Sequence, residues 1–180
     1  MKQTLILILS TLALATYAQK PKRVIKKLGD EPVFFIDSVN VEKGELSKYS
    51  PNEIASVSVY KDSSAIRLVG SDGKDGVVYI TTKAFAKNQY WNYFRSKSPE
   101  YAKVVTSPQA DTTVQYILNG RILKDNYEGD LSLINDKVFQ ELNVIDQQTL
   151  RQRYNIIGKT YGVIVKSEVP DDLYKGKKKF

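Results

Sequence analysis

The run GSDGKDG at residues 70–76 sets Gly70, Gly73 and Gly76 among Asp72, Lys74 and Asp75, and its spacing invites chemistry more than any other stretch of this 180-residue chain. Glycines allow the backbone conformations that cradle a phosphate. A phosphate loop, however, places Ser or Thr after its lysine to hold magnesium and follows a strand. Here Asp75 follows Lys74, and the preceding pattern is helical. As a calcium site, Asp72 and Asp75 fall short of the roughly six to eight oxygen ligands that ion takes. The run therefore reads as a turn. Asp37, Glu42, Glu45 and Glu53 would be the raw material for a paired-carboxylate hydrolase, but no spacing selects two of them. The sequence has no histidine and no cysteine, which removes Cys/His zinc sites, thiol nucleophiles and the Ser-His-Asp relay. The expectation is a protein that is not an enzyme, with no catalytic, metal-binding or cofactor-binding residues.

Residues suited to contact form two groups. Tyr90, Trp91, Tyr93 and Phe94 lie close together, with Tyr90 and Phe94 on one helical face and Ala86 and Tyr93 sharing another stripe. They read either as core packing or as an aromatic contact for a protein or a glycan. Lys175, Lys177, Lys178 and Lys179 form the second group, mirrored by Lys20, Lys22, Arg23, Lys26 and Lys27 near the other end. The formal charge is +7; setting aside Lys2 and these nine tail charges leaves −3 for residues 29–173. Nucleic-acid readers carry their positive charge on the folded surface, so no nucleic-acid partner is expected. The basic ends read as solvated tails or as docking tails for an acidic partner.

These groups need elements to position them. Residues 1–18 have a lone Lys2 before a short apolar run and the small residues ahead of Gln19, the pattern of a cleavable signal peptide. The run is too short to span a membrane, so export to the periplasm without a transmembrane segment is expected. Residues 33–41 (VFFIDSVNV) read as strand, tight turn at Asp37-Ser38, and strand. Ser50-Pro51-Asn52-Glu53 has the chemistry of a helix start. Val57 to Tyr60 alternates as a half-buried strand, residues 62–70 read as a capped helix closed by Gly70, and residues 76–82 as a β-branched strand. A helix over residues 84–98 ends before Pro99.

The order then recurs. Asn119 stands where Asp37 stood (119 − 37 = 82), Val144 matches Val59 (144 − 59 = 85), and Gly162 matches Gly76 (162 − 76 = 86). An internal duplication is expected, its second copy having lost the glycine-rich turn and carrying Arg151, Arg153 and Tyr154 near that place. The resulting division is signal peptide 1–18, basic segment 19–31, first repeat 32–83, aromatic helical connector 84–110, second repeat 111–169 and basic tail 170–180.

The first repeat resembles the plug domain of TonB-dependent outer-membrane receptors of the Bacteroidetes type. The matching residues are Phe35-Ile36-Asp37; Pro51 with Ile54, Val57 and Val59; Lys61 and Ala65; Gly70, Gly73 and Gly76; and Ile80-Thr81-Thr82-Lys83. Ser38 departs from the glycine usual after the aspartate, no TonB box follows residue 18, and nothing after Lys83 supplies the alternating ten-residue strands of a barrel. The resemblance implies an α+β fold of two plug-like repeats of short strands and helices, free-standing and without a transmembrane barrel. It implies a partner that is an outer-membrane β-barrel or a secretion translocon, such as that of the type IX secretion system, whose periplasmic mouth the protein would occlude. A glycan- or peptidoglycan-binding module using Tyr90, Trp91 and Tyr93 is the alternative.

Overall fold

The computed structural model describes residues 28–168, which form an α+β fold of two four-stranded mixed sheets with short helices and no closed barrel. In the first half, β1 (Val33–Ile36) turns through Asp37 and Ser38 into an antiparallel β2 (Val39–Val41). Both turn residues have positive φ, 50° and 73°, as a two-residue hairpin turn requires if its twist is to match the strands. Asp37 holds this conformation without glycine because its carboxylate is tethered: Oδ1 accepts from the Thr82 N–H and Oδ2 from the Thr82 hydroxyl, each at 2.7 Å. Hydrogen bonds to a charged group contribute about 1.5–3 kcal/mol. Asp37→Ala is thus expected to cost about 2–3 kcal/mol in urea unfolding, with Asp37→Asn closer to wild type.

Ser50 begins a helix as its chemistry predicts, accepting from the Asn52 N–H while Glu53 reaches back to the Ser50 N–H at 2.8 Å. The helix lasts only the 3-10 turn Pro51–Glu53, because the β-branched residues that follow enter β3 (Ile54–Tyr60) and pair with β4 (Val77–Thr82). Between these strands run α1 (Asp62–Val69) and a further 3-10 turn, Gly70–Asp75. Asp62 is the first helical residue rather than the expected cap. Gly73 lies so close to Ala65 that a Cβ would come 2.5 Å from its carbonyl carbon, which explains the need for glycine in this turn. β4 pairs parallel with β1 and antiparallel with β3, giving the order β2-β1-β4-β3.

The second half builds β5 (Val114–Leu118), β6 (Arg121–Ile122), β7 (Phe139–Asp146) and β8 (Tyr161–Ser167) in the order β6-β5-β8-β7, with the same pairing senses. Asn119 and Gly120 make the equivalent positive-φ turn, and Asn119 bonds both the N–H and the C=O of Ser167 at 3.0 Å, as Asp37 bonds Thr82. β3 and β7 carry register shifts at matching places, after Ile54 and after Phe139 (139 − 54 = 85). The helix α2 (Lys83–Lys97) follows β4. Next come α3 (Pro99–Val104), α4 (Glu128–Ser132) and, after β7, α5 (Gln147–Tyr154), which matches α1 at the same spacing (147 − 62 = 85).

This constant spacing corrects one expectation. Gly162 stands opposite Ile145 as Val77 stands opposite Tyr60 (162 − 77 = 85), so matching Gly76 to Gly162 was one residue out. Strand pairing, not glycine identity, shows which residues are equivalent. Arg151, Arg153 and Tyr154 belong to α5; of the three turn glycines only Gly73 has a glycine at this spacing, Gly158 (158 − 73 = 85), and no 3-10 turn forms there. Gly162 is small for a packing reason: a Cβ there would come 2.7 Å from Ile145, its partner on β7, and 2.8 Å from Leu150, the buried residue of α5. In the first half the pair is reversed, with Ala65 on the helix and Val77 on the strand, both buried.

The helices α2 and α3 join the halves. Thr82, already bonded to Asp37, accepts from the Phe85 N–H at 3.2 Å and caps α2; Ser98 ends α2, as expected before Pro99, and caps α3. One face of α2 lies in the core, where Tyr90 and Phe94 pack with Tyr101, Tyr116, Leu131, Val163 and Val165. No helix among the described residues is long and apolar enough to cross a membrane.

Candidate functional site

The aromatic residues of α2 separate by helical geometry. Tyr90 and Phe94, one turn apart, are 1% and 0% exposed and meet Tyr116 and Tyr101 edge-on at 5.6 and 5.7 Å. Neither presents a surface, which corrects their candidacy as partner-binding residues. Trp91 and Tyr93 are half-buried at the margin of the same core. Trp91 Nε1 donates to the Val105 carbonyl at 2.8 Å, and the Arg95 guanidinium lies over its ring at 4.4 Å. Tyr93 donates to Asp136 at 2.9 Å, with Lys97 Nζ 5.2 Å from its ring centre and bridged to Asp136 at 2.6 Å. Burial, then the hydrogen bond to Asp136, pushes the Tyr93 hydroxyl up to about 12. In return, the bonds from Lys97 and Tyr93 hold the Asp136 carboxyl below its ordinary range. Lys175, Lys177, Lys178 and Lys179 lie outside the described residues, as do residues 1–18, expected to be a signal peptide, and most of the basic segment.

Asp111 is a residue that sequence reasoning missed. It sits in the 3-10 turn Pro108–Thr113, is fully buried, accepts from the Tyr90 hydroxyl, and bonds Lys87 Nζ at 3.0 Å. The buried hydroxyls of Tyr101 and Tyr116 bond each other at 2.8 Å close by. Burial drives the hydroxyls of Tyr90, Tyr101 and Tyr116 well above the ordinary tyrosine range, and the neighbouring Asp111 charge adds to this. One Asp111 oxygen is taken by Lys87 and the other by Tyr90, so the carboxylate is a buried strut between α2 and the turn that leads into β5. The preceding PQADTT pattern resembles any helix start, and the partners Lys87 and Tyr90 lie far away in sequence. Nothing local signalled it.

Exposed apolar side chains flank the first sheet at its edges. Register aligns Val39, Ile36, Ile80 and Val57 in one row across all four strands, and Val41, Phe34, Val78 and Val59 in the next. Partner residues in adjacent strands share a face, so one side of this sheet is apolar from edge to edge. Its middle is buried, whereas the ends Val39 and Val57 are 63% and 53% exposed. In the second sheet the corresponding face, with Tyr116, Leu118, Val163 and Val165, packs in the aromatic core with α2 and α3. Arg121, at the place of Val39, is charged and bridged to Asp130. The centre of this face is buried in both halves; what sets the first apart is its exposed apolar edges at Val39 and Val57, which makes those edges the better candidate for contact. Among the described residues no group of three or more acidic residues is placed to hold a metal ion.

A stretch of 55 residues, 30% of the chain, is 40% identical to the TonB-dependent receptor P26 of Formosa agariphila. The chain spans 6% of that receptor's length. No family model matches the chain, and no solved structure does. The similarity joins the chain to a short, plug-like region of such a receptor at most. It agrees in kind with the resemblance carried by residues 33–83.

Proposed function

We propose that this chain is a non-catalytic, periplasmic, plug-like protein that docks on an outer-membrane β-barrel transporter or a secretion translocon and occludes its periplasmic opening. The observation that supports this reading is the 40% identity to part of a TonB-dependent receptor. The mechanism would be steric. Two rigid sheets, locked together through α2 and α4, form a stopper whose shape does the work. The equal spacing of 85 between the tethered strands and helices supports reading the halves as copies of one ancestral unit. The basic ends would pair with acidic groups at the barrel rim, and exposed pairs of this kind weaken when salt shortens the screening length below about 8 Å.

A tagged copy incubated with detergent-solubilised outer membranes of the source bacterium, with the type IX translocon as the first complex to look for, is expected to retrieve a β-barrel protein. Retention is expected to fall when salt is raised to about 0.5 M. Recovery of no barrel protein at low salt would overturn the reading. Loss of Lys175, Lys177, Lys178 and Lys179 is expected to reduce capture without changing the melting temperature of the fold.

A further inference from the structure

The outer edge of β3 is built to pair with another strand. Val33 N–H donates to the Gly76 carbonyl and Asp37 N–H to the Ile80 carbonyl, both at 3.0 Å. Even-numbered residues of β4 therefore turn their backbone groups to β1, and Val77, Tyr79 and Thr81 turn theirs to β3. Their partners are Tyr60, Ser58 and Ser56. Val57 and Val59 consequently direct N–H and C=O outward, where no other strand lies among the described residues.

Natural edge strands are blunted by charge, proline or brevity. β3 reads IASVSVY over seven residues, with no charge and no proline. Its one irregularity, the register shift after Ile54, lies at the end where α4 abuts it, Gly129 being so near the Ala55 carbonyl oxygen that a Cβ would come 2.7 Å from it. The open part is thus Ser56 to Tyr60, centred on Ser58. By contrast, the edge strand β7 carries Glu141 and Asp146, the former bridged to Lys166 at 2.6 Å.

We propose that β3 pairs with β3 of a second copy of this chain, antiparallel about a twofold axis through Ser58. The sequence is self-complementary about that point: Val57 of each chain faces Val59 of the other, and the two outward N–H and two outward C=O groups of each strand find partners. A twofold interface requires such reciprocity. No like charges meet within the strand, and the exposed Val57 side chain is covered. A strip this narrow lies below the standard interface size, so the dimer is weak, with Kd of about 10–100 μM.

The test is sedimentation equilibrium on the chain purified after export, up to about 200 μM, a concentration that populates such a dimer. Wild type is expected to shift from monomer to dimer mass, and Val57→Thr, which keeps the N–H, is expected to follow it. Val57→Pro removes an outward donor and leaves the β3–β4 ladder intact; its Kd is expected to rise at least about tenfold, since a lost donor leaves its acceptor unpaired. Should that variant unfold by circular dichroism, Ser58→Arg, at an exposed position on the axis, sets like charges opposite each other and is expected to dissociate the dimer at low salt. Wild type that stays monomeric throughout, or a folded Val57→Pro or Ser58→Arg variant that dimerises as wild type does, would overturn the proposal. So would dimerisation that appears only after residues 19–27 are deleted, because the edge would then belong to the chain's own N-terminal segment.

Discussion

Asp111→Ala is expected to lower the unfolding free energy by about 3–5 kcal/mol, the range for removing one partner of a buried ion pair. The loss has two parts. Lys87, whose side chain is 24% exposed, loses the carboxylate at 3.0 Å, and the fully enclosed Tyr90 hydroxyl loses its acceptor. Marginal stability of about 5–15 kcal/mol makes this a large fraction of the whole. Asp111→Asn retains an acceptor for Tyr90 and is expected to cost less, while Lys87→Met in the Asp111→Asn background is expected to recover part of the loss. Urea unfolding of the three variants measures the effect. An Asp111→Ala protein as stable as wild type would show that the strut does not hold the halves' junction.

Alkaline pH is expected to unfold the protein abruptly above about pH 10. Tyr90, Tyr101 and Tyr116 keep their protons in the folded state far above the ordinary tyrosine value because burial disfavours the phenolate. In the unfolded chain they ionise near pH 10. The folded pKa values are raised, so their contribution is complete below pH 10 and is lost as pH rises through the folded values. Once the unfolded chain is ionised and the folded one is not, three such groups lower stability by about 4 kcal/mol for each further pH unit. Titration followed by phenolate absorbance, with circular dichroism in parallel, is expected to show the exposed tyrosines ionising gradually and the buried ones together with loss of the fold. Tyr116→Phe is expected to make the fall shallower. A smooth titration of all twelve tyrosines with the fold intact would contradict the buried network.

The strands and the turn at Asp37-Ser38 were legible because β-branched runs and turn residues act locally. The burial of Tyr90 and Phe94 was legible as one alternative from their helical spacing, and the mature core chose it. The helix start at Ser50 was read from its capping chemistry, yet capping sets where a helix begins and not how far it runs, and Ile54 belonged to a strand. The one-residue error at Gly162 arose because glycine was taken as a landmark, whereas strand pairing shows which residues are equivalent. Asp111 and the apolar rows of the first sheet were invisible for the same reason: each exists only when strands or turns distant in sequence come together. What the candidate surface binds is a matter of the outward groups of β3 and its neighbours, which register alone reveals.

The reversed sizes at Ala65 and Val77 against Leu150 and Gly162 have a meaning for how the chain finds its fold. Two similar halves in one polypeptide invite misassembly, in which the last strand of one half inserts into the sheet of the other. β4 inserted beside α5 would drive Val77 into Leu150, and β8 beside α1 would set Gly162 against Ala65 and leave a hole. Either error is penalised, by overpacking in one case and by a cavity in the other. Large and small residues are thus exchanged between the halves, so that a closing strand placed in the wrong half would fit less well than in its own.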